Sequence, residues 1–172
     1  MQKDIVSIEM ESVVDMGIGY VDSVVVYNRY VNGLMETETY FGTRFDKVRI
    51  EFTQEENQTR AGKENVSTCL LKIKNDKTLP KPFKDPKKWE KLTTEEMLEY
   101  FTLNTGGDFF VIVKREGLNL DIETPTGLIE SSTSELYNGN FFEYMKKNYG
   151  YVYSLNSFAQ LDLIPHFQVG GL

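Results

Sequence analysis

Apolar and polar residues alternate through much of the first third of the chain, as they do in strands that bury one face. Residues 23–31, "SVVVYNRYV", are β-branched and aromatic, and Asn32-Gly33 is typical of a type I′ turn. Residues 34–42, "LMETETYFG", alternate again, so the pattern predicts a β-hairpin. Residues 43–52, "TRFDKVRIEF", extend it with strictly alternating apolar side chains, Val48, Ile50 and Phe52.

The strand pattern returns further along the chain. Residues 53–65 are polar and predict a loop, and Val66 to Lys74 predicts a fourth strand. Residues 108–115, "DFFVIVKR", and 118–123, "LNLDIE", flank a Glu116-Gly117 turn and predict a second hairpin. The chain closes on two more predicted strands, "YVYSLNSF" (151–158) and "IPHFQV" (164–169).

Two short helices are predicted between the strands. Thr93 and Glu96 have the spacing of a capping box, and an apolar stripe follows them, Met97, Leu98 and Phe101. Asn140 and Glu143 repeat the capping pattern before a second apolar patch, Phe141, Phe142, Tyr144 and Met145.

The glycine pair in "NTGGD" (104–108) raises the question of a phosphate-binding loop. Such loops place glycines before a helix N-terminus, where backbone N–H groups point at the anion. Here the predicted helix comes first, so the glycines would follow its electronegative C-terminal end. No Lys-Ser/Thr pair of the P-loop kind follows. The pattern therefore predicts a turn after a helix.

Strands in runs with short helices between them predict a mainly β fold. We expect an antiparallel β-barrel or sandwich with two short helices inserted between strands. A chain of 172 residues is long enough to bury about 70% of its unfolded surface in one domain. We assign residues 21–172 to a single β-rich domain and residues 1–20 to an N-terminal arm or edge strand.

The net charge of −7 is unevenly distributed. Residues 72–91, which we call the Lys-rich segment, hold eight lysines and three acidic residues, whereas the chain on either side is acidic. Three prolines interrupt this segment and it has no arginine, so specific nucleic-acid recognition is not expected. It is expected to be a solvated loop, or a surface that docks on a partner or faces a DNA channel.

The residue types used in catalysis and metal binding are scarce. His166 is the single histidine and Cys69 the single cysteine, which is too few for a structural zinc site. A nucleophile–histidine mechanism would depend on His166 alone, and no Gly-x-Ser-x-Gly elbow is present. Carboxylate pairs of the glycosidase kind are defined by distance in space, so the sequence does not decide about them. We expect a protein that is not an enzyme and holds no cofactor or metal.

The compartment can also be read from composition. No apolar run approaches the roughly 20 residues that a membrane span needs, and acidic residues within the N-terminal apolar stretch argue against a signal peptide. A single cysteine gives no disulfide framework, which fits folding in a reducing cytoplasm. No membrane partner is expected.

Four segments in sequence order carry a resemblance to a known family. They are Asn28-Arg29-Tyr30, Pro86 to Leu92 ("PKKWEKL"), Tyr100 to Val113 with its Gly-Asp pair, and His166 to Gly171 ("HFQVGG"). Over roughly residues 23–172 the chain resembles minor capsid or head–tail joining proteins encoded by tailed phages and prophages of Gram-positive bacteria.

The resemblance implies a bacteriophage virion structural protein of the neck, between portal and tail. The leading version is the head-completion, or stopper, ring, whose known examples are small β-barrels with a loop that reaches into the DNA channel. The partners implied are further copies in a ring of six or twelve, portal or adaptor proteins, and the tail terminator or tail tube. Passing DNA would be touched only non-specifically. The location implied is the head–tail junction of the virion, and the host cytoplasm during assembly.

Two alternatives stay open. One is the tail terminator, which usually packs helices across one face of a sheet, whereas the helices predicted here are short and interrupt the strands. The other is a monomeric acidic inhibitor such as a DNA mimic. Mimics concentrate carboxylates on one face, whereas the acidic residues here alternate with threonine and apolar residues, and the Lys-rich segment opposes mimicry.

The candidate interface consists of five residues, Ile8, Met10, Phe83, Trp89 and His166. Phe83 and Trp89 are expected to anchor the Lys-rich segment on a partner, because aromatic side chains bury much area at small entropic cost. Packing of Trp89 on the barrel is the alternative. In the closing strand Phe167 and Val169 are expected to face the core, which turns His166 toward solvent or a neighbouring subunit.

Deletion of residues 2–16 is predicted to leave the fold intact and to impair assembly. Ile8 and Met10 lie on one face of an alternating stretch with no partner strand in the predicted hairpins, and such an edge is completed by strand addition. Circular dichroism of the purified variant checks the fold, and the yield of joined particles checks assembly. A normal virion yield would contradict the prediction.

Overall fold

The computed structural model describes residues 19–59 and 62–172, and within them the elements are as follows. The strands are β1 (Asp22–Asn32), β2 (Thr37–Thr59), β3 (Gly62–Lys74), β4 (Phe109–Arg115), β5 (Leu120–Asp121), β6 (Gly127–Glu130), β7 (Val152–Leu161) and β8 (His166–Gly171). The helices are α1 (Pro86–Trp89), α2 (Thr94–Glu99) and α3 (Phe141–Asn148), and a 3₁₀ turn covers Glu116–Leu118. Ile8 and Met10 of the predicted arm lie outside the described residues.

Six of these strands close into an antiparallel barrel. β1 is followed around the barrel by β2, β3, β8, β7 and β4, and β4 pairs back to β1. β5 pairs with β4, and β6 pairs with β2. The expected mainly β, antiparallel fold is confirmed, and of the two architectures the protein has the barrel.

β2 belongs to two strand pairs in succession, which carries it around the barrel. It pairs with β1 as far as Val48 and with β3 from Arg49 onward. Lys47, one residue before the end of the β1 pairing, has a positive φ of 57°. The register of the β1–β2 ladder shifts at this point. An irregularity of this kind is a β-bulge, and it increases the local twist of the strand.

Beyond the last pairing of β2 with β1, two side chains form hydrogen bonds with the β2 backbone in place of a strand. Asp22 Oδ2 accepts a hydrogen bond from Ile50 N at 3.3 Å, and Arg115 Nη1 donates to Ile50 O at 2.8 Å. Arg115 also lies 3.7 Å from the Asp22 carboxylate. The backbone groups of Ile50 are therefore satisfied without a further strand.

Apolar side chains from all six strands fill the barrel. The buried cluster comprises Val24, Val26, Phe45, Val48, Ile50, Cys69, Leu71, Ile73, Phe101, Leu103, Phe110, Ile112, Leu155, Phe167 and Val169. Phe167 and Val169 face this core as predicted. Gly171 is also buried, and a Cβ there would lie 2.8 Å from the Phe110 ring, so the close approach of β8 requires glycine. The lumen is a packed core rather than a channel.

A second layer covers the outer face of β1 and β4. Val25 and Tyr27 point outward and pack with Phe109, Phe141 and Met145 under α3. Tyr27 stacks on Phe109 with ring centroids 4.8 Å apart. Because both faces of β1 are buried along residues 24–27, this stretch, "VVVY", is continuously apolar rather than alternating.

Both predicted helix caps are confirmed. Thr93 Oγ1 accepts a hydrogen bond from Glu96 N at 3.3 Å at the start of α2. Asn140 Oδ1 accepts one from Glu143 N at 3.1 Å at the start of α3. Each side chain satisfies a backbone donor that has no partner within its helix.

Residues 75–104, which we call the cap, cover one end of the barrel and include α1 and α2. Phe83 packs against Phe101 and Phe167, with ring centroids 5.5 and 4.8 Å away. The backbone of the cap is held to itself by Lys84 N, which donates to Phe101 O at 2.9 Å. Trp89 packs edge-to-face on Phe41 at 5.4 Å and is only 2% exposed.

Two loop predictions are wrong. The β1–β2 connection has four residues, Gly33–Glu36, and Asn32 pairs with Thr37 instead of starting a two-residue turn. The Asn32 side chain is responsible, because its Oδ1 accepts from Leu34 N at 3.1 Å and so closes an Asx turn. Of the polar residues 53–65, residues 53–59 and 62–65 are strands rather than a loop, since β2 and β3 stay paired as far as Thr59 and Gly62.

This continuation forms an arm that leaves the barrel. The β1 pairing of β2 stops at Val48, and the β8 pairing of β3 stops at Cys69. Residues 53–59 and 62–68, which we call the β2–β3 arm, therefore pair only with each other in the described structure. Backbone hydrogen bonds can form such a two-stranded ladder without an apolar face. The polar sequence of the arm therefore shows no apolar–polar alternation from which strands could be predicted.

β6 was not predicted, because it begins at the glycine of "TPTG" and its four residues hold only two apolar side chains. The strand directions also define the two ends of the barrel. β1, β3 and β7 run toward the cap, so the β1–β2 turn and the β7–β8 turn at 162–165 lie at the capped end. The β2–β3 arm extends from the other end.

Within the described residues, no helix has both the length and the apolar character needed to cross a membrane.

Substituting Trp89 with alanine is expected to lower the free energy of unfolding by about 3–5 kcal/mol, because a buried indole leaves a large cavity. Chemical denaturation of the purified monomer measures the change. Lys88→Ala, on the exposed side of α1, is the matched control and should change stability by less than about 0.5 kcal/mol. A Trp89→Ala protein as stable as the control would show that the cap does not depend on this side chain.

Candidate functional site

A group of polar side chains lies in the barrel wall where the β1–β4 ladder ends. Tyr27 and Phe109 are the last paired residues, so the next residues of β1 meet the loop before β4 rather than a strand. Asn28 and Asp108, at this junction, are 0% and 3% exposed. We call Asn28, Arg29, Glu38 and Asp108 the polar node.

Asp108 takes the place of the missing strand partner. Its Oδ1 accepts a hydrogen bond from Arg29 N at 2.8 Å. Its Oδ2 accepts from Asn28 Nδ2 at 2.8 Å and from Asn104 N at 2.9 Å. Asn28 Nδ2 also donates to Thr102 O at 2.6 Å. The node therefore fastens the last part of the cap onto β1.

The charge state of Asp108 is balanced between opposing effects. Burial raises its pKa to about 7, while the three hydrogen bonds and the nearby Arg29 guanidinium act to lower it. A carboxyl group with a pKa near 7 is partly protonated at neutral pH. Each donor around it favours the carboxylate form. These hydrogen bonds offset part of the free-energy cost of removing the charge from water.

Arg29 and Glu38 extend the node to β2 and, through Ser131, to the start of α3. Arg29 Nε donates to Glu38 Oε2 at 2.6 Å. Glu38 Oε1 accepts from Ser131 Oγ at 2.8 Å, and Ser131 Oγ in turn accepts from Phe141 N at 2.9 Å. Neighbouring Tyr40 has its pKa raised by burial and by the Glu38 charge, so it stays a neutral phenol. The node joins β1 and β2 to the start of α3.

A cleft of about 340 Å³ opens beside the node. Arg29, Tyr40 and Asp108 line one side, and Asn140 and Phe142 line the side toward α3. Its two carboxylates already accept hydrogen bonds from protein groups. Among the described residues that line it there is no histidine or cysteine, so the cleft offers polar contacts and no nucleophile–base pair.

The described parts of the chain contain no group of three or more His, Cys, Asp or Glu side chains placed to hold a metal ion. Cys69 is buried in the barrel. Burial raises the pKa of its thiol to about 12, so it is a thiol rather than a reactive thiolate.

The "NTGGD" glycines form a turn, as predicted, but not at a helix end. α2 ends at Glu99, and the extended residues 101–104 separate it from the turn at 105–107. Asn104 Oδ1 accepts from Gly106 N at 3.0 Å. Gly107 has a φ of +144°, and a Cβ there would lie 2.6 Å from Arg29 Cδ. The second glycine is required because the Arg29 side chain crosses it.

The structure describes three of the candidate interface residues, Phe83, Trp89 and His166, and does not bring these three side chains into one surface. Phe83 is half-buried under the barrel end and Trp89 is buried in the cap. For Trp89 the alternative of packing on the barrel is therefore correct, and the ring is not available to anchor a partner. His166 is the first residue of β8 and points away from the core, with its Nδ1 2.6 Å from Ile164 O.

Exposed apolar side chains at the capped end were missed by the sequence reading. Leu34 in the β1–β2 turn is 98% exposed, and Leu163 in the β7–β8 turn is 99% exposed. Met35 and Ile164 beside them are also exposed. The available signal was the pair of apolar residues in each turn, where polar residues are the rule.

A closed antiparallel barrel with one capped end and a buried polar node defines a small, mainly β domain. The chain belongs to a family of unknown function (DUF6751), which matches residues 20–172. The match thus spans the barrel, the cap and the node. No curated protein and no solved structure matches the chain.

We expect the free energy of unfolding of wild type, measured as its difference from that of Asp108→Asn, to fall as pH rises from about 4 to about 8. The pKa of Asp108 is raised from 3.8 to about 7 in the folded protein, so the folded state binds the proton more tightly than the unfolded state in this window. The stabilisation is complete below the unfolded pKa and is lost as pH passes the folded pKa. Urea denaturation of both proteins at several pH values measures the difference.

Asp46→Asn is the matched control for this experiment. A hydrogen bond from Ser23 lowers the pKa of Asp46, so its contribution should be constant between pH 5 and 8. A difference between wild type and Asp108→Asn that does not change with pH would show that Asp108 stays ionised throughout. Asp108→Asn should itself lower the free energy of unfolding by about 1–3 kcal/mol. The reason is that the new side-chain amide places an N–H donor against an N–H donor that now bonds to the carboxylate.

Proposed function

We propose that this chain is a structural subunit of a tailed-phage neck, of the head-completion (stopper) kind, which works as a ring between portal and tail. The observation that carries the proposal is the small antiparallel barrel from which the β2–β3 arm extends. The sequence resemblance implies this architecture, with one loop reaching into the DNA channel. We assign that role to the β2–β3 arm.

The dimensions of the arm suit this role. Its strands continue for residues 53–59 and 62–68 past the barrel pairings. At about 3.3 Å per residue, this is a reach of roughly 25 Å. A polar ribbon of that length can extend toward a ring axis while the barrel keeps its contacts with neighbours.

The packed lumen also bears on the proposal. Because apolar side chains fill the barrel, DNA could pass only between copies, through the centre of a ring. The net charge of −7 disfavours tight DNA binding. Weak, non-specific contact is what a channel subunit requires, since the DNA has to move past it.

The tail terminator remains the second candidate within the same class, and one observation favours it. α3 packs across the outer face of β1 and β4, as the helices of tail terminators pack across one face of a sheet. The helix has only eight residues, and the barrel is closed, so the stopper stays the leading proposal.

Purified virions are expected to contain six or twelve copies of this chain at the head–tail junction. Closed rings with cyclic symmetry repeat one heterologous contact, so the copy number equals the symmetry. Quantitative mass spectrometry against a major tail protein gives the number, and electron microscopy with a labelled antibody gives the position. A single copy per virion, or absence from virions, would refute the proposal.

Shortening the arm tests its assigned role separately. Replacing residues 54–67 with a two-residue turn should leave the barrel folded, because the described barrel pairings of β2 with β1 and of β3 with β8 lie outside the deleted stretch. Heads would then package DNA and lose it before joining tails. Wild-type retention of DNA would show that the arm does not close the channel.

A further inference from the structure

One edge of β7 has no partner strand over half of its length. β7 pairs with β4 only at residues 152–154, and its other edge pairs with β8 as far as Leu161. The register of the β7–β8 ladder shifts between Leu155 and Ser157, and a β-bulge of this kind bends its strand. Beyond the bulge, the side of β7 that faced β4 meets no strand of the described chain. We call residues 157–161 on this side the free edge of β7.

Two residues direct their backbone groups to the free edge. Successive residues of an antiparallel strand alternate between hydrogen-bonded and non-hydrogen-bonded pairs. Leu172 and Ser154 exchange two hydrogen bonds, so the even-numbered residues at the end of the chain bond to β7. Ala159 is paired with an even-numbered residue of β8 and therefore bonds to β8. Its neighbours Phe158 and Gln160 point their backbone N–H and C=O groups outward.

The free edge is exposed to solvent. Four of its five residues are exposed, namely Ser157, Ala159, Gln160 and Leu161. Beside Gln160 lies an open groove of about 470 Å³ whose opposite wall is the start of the cap, so the cap does not cover the edge there. The charged residues that line this groove or directly follow β7 are of both signs, Asp76, Lys77, Lys81 and Asp162.

The sequence of β7 lacks the features that keep exposed edges apart. Natural edge strands are protected by charged side chains, by proline or by being very short. Residues 148–161 form a run of fourteen with no charged residue and no proline. By contrast, β5 and β6 have only two and four residues, and each strand of the β2–β3 arm holds two charged residues. Among these edges, that of β7 is the one suited to pair with another strand.

We propose that the free edge of β7 pairs with the same edge of a second copy of this chain, antiparallel and about a two-fold axis. Phe158 and Gln160 each present a donor and an acceptor. All these groups are used when Phe158 of one copy lies opposite Gln160 of the other, and each such pair exchanges two hydrogen bonds. Ala159 then lies on the axis, opposite its own counterpart, where a small, uncharged side chain causes no like-charge repulsion.

A second copy is the partner that these observations fit. An antiparallel edge is complementary to itself, and two-fold dimers are the commonest assemblies of soluble proteins. The pairing also places Leu161, which is 40% exposed, opposite Ser157 of the second copy and so removes apolar surface from water. The inference goes beyond the proposed function, because a two-fold contact closes on itself and is not the contact repeated around a ring.

The matched variants Gln160→Pro and Gln160→Ala separate backbone pairing from side-chain contact. Proline removes the N–H that points outward and is tolerated on a strand edge, whereas alanine keeps this N–H. In sedimentation velocity over a range of protein concentrations, wild type and Gln160→Ala should form dimers and no larger species. Gln160→Pro, checked for folding by circular dichroism, should dissociate about tenfold more readily. Salt at about 0.5 M should change wild-type dimerisation little, because the bonded groups are uncharged.

Charges placed on the axis test the register. Ala159→Lys and Ala159→Glu each put like charges opposite one another, so each variant alone should be mainly monomeric. An equimolar mixture should dimerise again, because lysine of one copy then faces glutamate of the other. Lys114→Glu, an exposed change on β4 outside the free edge, is the control and should dimerise as wild type does.

Four outcomes would overturn the proposal. One is a wild type that stays monomeric up to roughly 1 mM, a limit that corresponds to a negligible contact. Another is a dimer that Gln160→Pro leaves unchanged, and a third is a mixture of the Ala159 variants that associates no better than its components. The fourth is a full chain that stays monomeric while a chain without residues 2–16 dimerises, which would assign the edge to the chain's own N-terminal residues. Virion composition tests the neck function separately, so either idea can fail without the other.

Discussion

The carboxylate of Asp108 accepts three hydrogen bonds at the one place where the barrel ladder has no strand to continue it. β4 closes the barrel against β1 over a short ladder that stops at Tyr27. Beyond it the partly buried backbone N–H of Arg29 would have no strand partner, and an unpaired backbone donor is unfavourable. Asp108 supplies that partner, and its own backbone O accepts from Leu155 N at 2.9 Å. The cap, β1 and β7 all depend on this one residue.

The packing around this junction explains where the protein is rigid. β1 and β4 lie between the core inside the barrel and the layer under α3, so they are buried on both faces. The cap covers the barrel core with Phe83, Phe101 and Leu103, and Trp89 and Met97 form a separate cluster on Phe41. Surfaces that can meet other molecules are therefore the parts that leave this scaffold: the turns, the β2–β3 arm, the free edge of β7 and residues 116–143.

Charge is distributed among these surfaces unequally. The cap exposes both lysines and acidic residues, whereas residues 116–143 carry acidic residues without a basic one. A protein that presents different surfaces in different directions suits a heterologous assembly, in which each copy has neighbours on two sides. This is the physical link between a β-barrel from a family of unknown function and the ring that we propose. The polar node contributes by fixing how the cap sits on the barrel.

The sequence by itself determined the strands with alternating residues, the caps at Thr93 and Asn140, the inward face of Phe167 and Val169, and the mainly antiparallel fold. Each of these depends on residues within a few positions of one another, or on the two-residue period of a strand. Only the tertiary structure decided between barrel and sandwich, buried Trp89 in the cap, and brought Asn28 to Asp108, which is 80 residues away. It also revealed the β2–β3 arm, whose ladder is formed by backbone groups common to all residues. These features arise from strand pairing and burial between distant segments, and such contacts leave no local pattern in the sequence.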